Sequence, residues 1–320
     1  MDNLISILMP VFRAERYIEH AIYSILNQTY KNFELIIIYE RQNDPTLKLI
    51  DKYNDVRIKK HFFQKTQRGI SEQLNYGIGI AKGNIIARMD ADDIAMPDKI
   101  QKQLDYLTTN TEIGIIGTNA YFINENGEII FEKKFPQYHK SIEFMMPVIN
   151  SILHPSILVY KKIIRDAGWY VSPTAEDHDL YLRLLLNGIK FYNIQEPLLK
   201  YRIIEKDNEF YEFQTKYFYD SSEIYLKKYY ENKNSRHYKG EFILRIGLLE
   251  YYWGSINKSR NYLFKSFFLI PSRTLIIFRY FIFTLLGNSL FKYIRKKKIP
   301  QSINSFFINK LGLDSYNIKA

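Results

Sequence analysis

The chain has 320 residues, 46% of them hydrophobic, enough to bury one large core or two modest ones. It has no cysteine, which excludes disulfides and thiolate metal sites and agrees with a reducing cytoplasm. The net charge of +11 is uneven: Lys and Arg exceed Asp and Glu by 1 over residues 1–204 and by 10 over residues 205–320, so the basicity describes what the tail touches.

Met1-Asp2-Asn3 leads straight into an apolar run with no basic stretch ahead of it, so a secretory signal is not expected. Residues 4–8 read as a strand ended by Pro10, and Tyr17, Ile18, Ala21, Ile22 and Ile25 recur at helical spacing, a strand feeding an amphipathic helix. Residues 33–38 are apolar or aromatic at five of six positions, as in a strand covered on both faces. A helix near 46–53, a strand near 56–63, a helix over 70–81 and a strand over 85–89 continue the alternation. Repeated β-α-β units predict an α/β, Rossmann-like and mostly parallel sheet with helices on both faces and ligands at the carboxyl ends of the strands. Gly77, Gly79 and Gly83 close a helix before a strand, the reverse of a dinucleotide fingerprint, and there is no Walker sequence.

The strand over 85–89 runs into Asp90-Ala91-Asp92-Asp93. Three carboxylates in four positions repel one another, so something positive belongs among them. Two readings stand: a hard divalent cation held through oxygen, with waters that a diphosphate can replace, or a solvated acidic turn before the helix that begins near Pro97. Gln101 at the twelfth position, with Ile94 and Ala95 in the central turn, excludes an EF-hand. Further on, residues 113–123 and 128–135 flank Asn124-Glu125-Asn126-Gly127 as a hairpin, and 156–160 read as a strand. Glu176-Asp177-His178-Asp179 opens a helix over 180–187 ended by Gly188, and 190–194 and 198–203 are extended. From Asp207 the pattern is helical and rich in Tyr, Phe and Lys.

Ser6-Ile7-Leu8-Met9-Pro10-Val11-Phe12, the stretch from Ser24 to Glu34, Ala87-Arg88-Met89-Asp90-Ala91-Asp92-Asp93 with Pro97, and Glu176-Asp177-His178-Asp179-Leu180 with Arg183 together resemble a family-2 glycosyltransferase of the bacterial surface-glycan type. The match runs from about residue 4 to 202, and its ordered motifs make it specific. The resemblance implies a GT-A fold over 1–204, with a nucleotide-sugar-binding half (1–93) and an acceptor half (94–204), and a basic tail over 205–320. It implies an Asp-x-Asp motif in which Asp92 ligates Mg2+ or Mn2+ and Asp90 contacts the ribose or sugar of the donor. Pro10, Phe12 and Arg68 match positions that line the base and phosphates; Phe12 can stack on a pyrimidine and Arg68 can offset phosphate charge, against the alternatives of a core aromatic and a solvated Arg.

Two departures bear on the site. Tyr39-Glu40 stands where the family has an Asp pair, so Glu40 takes the role of acceptor from a uracil N3–H with one more methylene, and the base pocket must differ. Ile204 stands where many relatives have a His, removing a third protein ligand to the metal. Asp177 is the candidate general base toward the acceptor hydroxyl, with a helix N-cap as its alternative. His154, before Pro155, is either a wall of the acceptor cleft or a structural histidine, and Asp93, Glu176 and Arg183 are placed around the acceptor and the primary ligands.

In the tail, residues 241–271 resemble one tetratricopeptide-like helix pair, with Gly247, Gly254, Ser259 and Ser266 where two helices approach. Residues 275–286 are apolar but interrupted by Arg279 and too short to span a bilayer, and Lys292, Arg295, Lys296, Lys297 and Lys298 follow. That pattern fits a helix on an anionic membrane surface, or a core helix with a solvated end. The expectation is a metal-dependent, inverting transferase that moves a sugar from a nucleoside diphosphate, UDP foremost, to a glycan or lipid-linked acceptor for surface polysaccharide, in the cytoplasm on the inner face of the cell membrane. A nucleic-acid partner is not expected, since the charge is confined to the tail and no recognised module is present. An inactive scaffold of the same fold, suggested by Tyr39-Glu40, is opposed by the presence of both Asp92 and Asp177.

Overall fold

The computed structural model describes residues 3–40, 45–64, 70–172, 175–203, 208–233 and 235–285. The chain divides into two units, Met1–Ile142 with Ser151–Lys206, and Glu143–Asn150 with Asp207–Ala320.

The first unit opens with strand β1 (Ile5–Val11), helix α1 (Ile18–Leu26), β2 (Phe33–Tyr39), α2 (Pro45–Ile50), β3 (Ile58–Phe62), α3 (Ile70–Ile80) and β4 (Ile85–Arg88). All seven residues of β1 are buried, as the continuous apolar run requires. β1 lies between β2 and β4, parallel to both, and β3 extends the parallel set beyond β2. The strand expected to stop before Pro10 runs through it, with Pro10 opposite Ile38. Pairing with β4 has already ended at Leu8 opposite Arg88, so on that side the missing proline N–H breaks no ladder bond.

Next come β5 (Ile94–Ala95), α4 (Lys99–Thr109), β6 (Ile113–Ile123), β7 (Ile129–Lys133), α5 (His139–Met145), β8 (Leu158–Tyr160), α6 (Lys161–Asp166), α7 (Glu176–Leu186) and β9 (Lys190–Arg202). Among the described residues the sheet has nine strands in the order β3-β2-β1-β4-β8-β6-β9-β5, with β7 paired to β6. Beyond β4 it becomes mixed: β8 runs antiparallel to β4 and β6, and β9 parallel to β6. The predicted hairpin is β6–β7; Asn124 Oδ1 accepts from the N–H of Asn126 and of Glu128 at 2.9 and 3.0 Å, and Gly127 supplies the positive φ of the turn. Where two extended segments were expected after Lys190 there is one long strand, carried past Pro197 by register shifts opposite Thr118, Asn119 and Ala120. The start expected for the strand near Ser156 is a 3₁₀ turn at His154–Ser156, with Pro155 at its first positions.

The second unit holds α8 (Asn208–Tyr230), α9 (Arg236–Trp253), α10 (Ile256–Leu269) and α11 (Thr274–Leu285). Ser235 and Ser255 cap α9 and α10. A Cβ on Gly247 would lie 3.1 Å from Tyr262, and Ser259 Oγ donates to the Gly247 carbonyl at 2.8 Å, so small residues set the close approach of α9 and α10. Leu244, Leu248, Leu263, Ile277 and Tyr280 form the unit's core with Phe144 and Val148. No helix among the described residues is long and apolar enough to cross a membrane.

Candidate active site

Because β4 parts from β1 after Arg88, the next residues lie at the carboxyl end of the parallel strands. Met89 donates its N–H back to Leu8 at 3.0 Å, and Asp90 to Asp93 follow. One carboxylate oxygen from each of Asp90, Asp92 and Asp93 lies within 4.8 Å of the other two. Asp93 is buried; its Oδ1 accepts from the Arg202 N–H at 2.8 Å, and Oδ2 has no hydrogen-bond partner among the described residues. Burial, then the charges of Asp90 and Asp92, push the Asp93 carboxyl well above the usual range.

Three residues outside the cluster hold it. Arg202 donates from Nε to the Asp92 carbonyl at 2.8 Å and from Nη1 to the carbonyls of Asn124 and Glu125 at 2.8 and 3.0 Å, with its guanidinium 4.2 Å over the ring of Tyr17. Gln28 donates to the Met96 carbonyl at 2.7 Å and accepts from the Ile100 N–H at 3.0 Å, so it satisfies an orphan donor in the first turn of α4. Ser24 Oγ accepts from Ala95 N–H at 3.0 Å. Lys99, buried in the same turn of α4, is pushed down to about 7 by burial against the opposing charge of Asp93.

The donor set fits a hard divalent cation: every ligand atom is a carboxylate oxygen, and Asp93 Oδ2 is a buried acceptor in want of a partner. Asp90 is ion-paired with the buried Arg88. Pro10 is buried in β1; Phe12, just past its end, is 52% exposed with the Arg13 guanidinium 5.3 Å from its ring, which removes the core-aromatic alternative. Glu40 is half-buried directly after β2. Pro10, Phe12, Glu40 and Asp90 thus follow from three adjacent strand ends. Arg68 lies outside the described residues.

Helix α7 supplies the other side. Its N-cap position is Ala175, with φ of 52°, so the capping alternative for Asp177 fails; Asp177 is the second helical residue, and its carboxylate accepts from the His178 N–H at 2.7 Å. Burial raises the Asp177 carboxyl, with Glu176 adding to the effect and His154 and Arg88 opposing it. For Glu176 burial is outweighed by His154, whose Nδ1 is 3.6 Å away, and the carboxyl is held below its ordinary value. His154 is itself buried, with Nε2 2.9 Å from the Tyr170 hydroxyl. Arg183 binds Asp179 at 2.7 Å and donates to the carbonyls of Trp169 and Ala167, fixing the segment that leads into α7. From α3, Asn75 exchanges two hydrogen bonds with the Tyr170 backbone at 2.8 and 3.0 Å, and Ser71 donates to the Ser172 carbonyl.

Among the described residues the non-glycine positions with positive φ are Arg13, Trp169 and Ala175, all flanking this site. The charge of Arg88 acts on Asp90, Glu176, Asp93 and Asp177, so one buried guanidinium serves both sides. Sequence reasoning assigns Arg88, Gln28 and Arg202 no role beyond membership of motifs, although an Arg in an otherwise apolar strand is a signal that could have found the first of them.

The family model for Glycosyl transferase family 2 matches residues 6–168. The O-antigen biosynthesis glycosyltransferase WbnJ of Escherichia coli is 38% identical over 213 residues, 65% of this chain and 82% of that protein. Among solved structures, S. aureus TarS 1-349 in complex with UDP-GlcNAc aligns with a TM-score of 0.62 at 15% identity, covering 85% of this chain and 83% of that one. The mannosyltransferase PcManGT from Pyrobaculum calidifontis, in complex with GDP-Man and Mn2+, aligns with a TM-score of 0.52 at 13% identity over 88% of this chain and 83% of its own. These likenesses carry the GT-A fold, in which a parallel nucleotide-side sheet turns mixed. With the family model covering half of its length and a relative of that identity nearly covered, the chain belongs to glycosyl transferase family 2 and is a glycosyltransferase.

Proposed function

We propose that this glycosyltransferase moves a sugar from a UDP-linked donor to a hydroxyl of a glycan or lipid-linked acceptor in surface-polysaccharide synthesis, with inversion at the anomeric carbon. The observation that carries the reading is the pairing of an all-oxygen acidic cluster at the strand ends with the raised carboxyl of Asp177, both under the charge of Arg88. The family resemblance gives the metal role to Asp92, with Asp93 behind it, while Asp90 is ion-paired with Arg88. Bound Mg2+ or Mn2+ would stabilise negative charge on the departing diphosphate. Phe12 and Glu40 would read the base beside Pro10, and Arg68 the phosphates.

Asp177 accepts the proton of the attacking hydroxyl as the new bond to the anomeric carbon forms and the bond to the diphosphate oxygen breaks. Its raised carboxyl suits a base working near neutrality. His154 and Glu176 support the wall beside it, and Arg183 positions it through the 167–169 segment. TarS, solved with UDP-GlcNAc, supports the nucleotide; PcManGT with Mn2+, the metal; WbnJ, by its name, the surface-glycan role. The basic, apolar tail beyond Pro271 supports attachment at the inner face of the membrane.

Asp177→Asn tests the base. It keeps the acceptor for His178 N–H, so donor binding persists while transfer falls by about 10²–10⁴. NMR of the first product shows a β-linkage from an α-linked donor. A retained α-linkage, or a variant that loses stability but turns over normally per folded molecule, removes Asp177 from this role.

A further inference from the structure

Helix α11 is apolar on both sides. Ile277, Tyr280 and Thr284 are buried, while Leu275, Phe278, Ile282 and Leu285 recur on the opposite side and are exposed among the described residues, Leu275 at 86%. Two apolar faces on one helix call for two apolar surroundings, and among the described residues α11, whose apolar run is interrupted by Arg279, packs against only one. Its neighbour α10 continues the surface with Phe264, Phe267 and Phe268, also exposed. The two helices run antiparallel: Arg260 Nη2 donates to the Thr284 carbonyl at 2.5 Å, and the rings of Phe264 and Phe281 are 6.1 Å apart. The result is one contiguous aromatic and aliphatic patch of the kind that soluble monomers rarely leave open.

Charge decides what covers it. From residue 251 to 313 the sequence has no Asp or Glu and eleven Lys or Arg. Lys265 lies exposed among the three phenylalanines of α10, and Arg236 Nη2 donates to the Phe268 carbonyl at 2.9 Å, placing a second cation at the rim. A second copy of the chain would bring the same positive charge to the contact, and residues 286–320 are themselves basic. We propose that the α10–α11 face is a membrane-docking surface that inserts its phenylalanines into an anionic lipid bilayer while the flanking Lys and Arg bind the head groups. The inference deepens the membrane attachment read from the tail, and it differs in assigning the insertion to a folded two-helix surface that includes α10.

Cosedimentation of the full chain with vesicles tests it. Wild type pellets with phosphatidylglycerol vesicles at low salt, much less with phosphatidylcholine, and is released as salt rises. Joint replacement of Phe264, Phe267 and Phe268 by Ser weakens binding at least about tenfold, from the apolar area withdrawn, while donor turnover on a soluble acceptor is unchanged. Binding equal to wild type in that variant overturns the proposal and leaves the tail reading standing. Phe268→Trp, its emission read as the difference from wild type, gives a signal that does not depend on loss of function: quenching of the added indole by brominated lipids supports insertion. An added indole that is shielded from iodide in buffer and blind to vesicles assigns the face to residues 286–320, and a wild-type dimer that the Ser variant makes monomeric assigns it to a second copy; either overturns the proposal.

Discussion

Replacing Arg202 by Lys is expected to loosen the acidic loop without touching its carboxylates. The Arg202 side chain is buried, and its fork reaches three carbonyls on two segments, Asp92 on one and Asn124 and Glu125 on the other. A lysine ammonium satisfies one of these at a time and leaves the face of Tyr17, while the Arg202 N–H bond to Asp93 is retained because it belongs to the backbone. Hydrogen bonds to a charged donor are worth about 1.5–3 kcal/mol each, and the losses overlap because they share one side chain, so the expected cost is about 3 kcal/mol. Urea unfolding at pH 7.5 reads that number, and the stabilisation by Mn2+ with UDP in the same experiment should shrink, because the Asp92 backbone is no longer fixed. An Arg202→Lys protein within about 1 kcal/mol of wild type, with the metal effect unchanged, would refute the idea that this guanidinium holds the loop.

Asp92→Ala should leave the fold intact, since it removes one of three mutually repelling carboxylates, while abolishing the thermal shift that Mn2+ adds to UDP. An undiminished metal effect would move the ligand role to Asp90 or Asp93, and equal shifts with GDP would mean that Glu40 does not read the base. His178 carries the pH prediction: burial pushes its imidazole down to about 3, so it folds neutral, and the stability this confers is present above about pH 6.5 and lost as pH falls from there toward 3. Between pH 7 and 4 the wild type should lose about 3 kcal/mol more than His178→Gln, with the carboxylates common to both cancelling; parallel stability curves would place the imidazole in contact with water.

The part of the fold that the sequence made legible is the part with period. β1 and β2 are apolar runs interrupted only by Ser6 and Glu34, which hydrogen-bond to each other, and α1 has its buried Ile18, Ala21, Ile22 and Ile25 at helical spacing, so local pattern and tertiary placement agree. Pattern fails where strands are short or defined by distant partners. β5 is two residues long and exists because Ile94 and Ala95 meet Lys200 and Leu199, over a hundred positions on. Pro10 reads as a terminator because a lone strand should end there; only the early departure of β4 makes it tolerable. The same departure opens the space that Asp90 to Asp93 enter, so the misread proline and the placement of the acidic cluster have one physical cause.

Arg88 shows why the site's chemistry was harder to read than its location. In sequence it sits in an apolar run, which marks it as unusual but not what it serves, because burying a guanidinium is costly unless carboxylates surround it. In the structure they do: burial works against its charge, yet Asp90, Glu176 and Asp93 hold the guanidinium more firmly protonated than a free one. Those carboxylates come from two elements separated by more than eighty residues, the turn after β4 and the start of α7, so no local pattern could announce the arrangement. It follows that the acidic cluster and Asp177 are not independent features that happen to be neighbours. Arg88 is the charge they share: it pairs with Asp90 and opposes the rise of the Asp177 carboxyl, so removing it would release the donor-side carboxylate and push the Asp177 carboxyl further up.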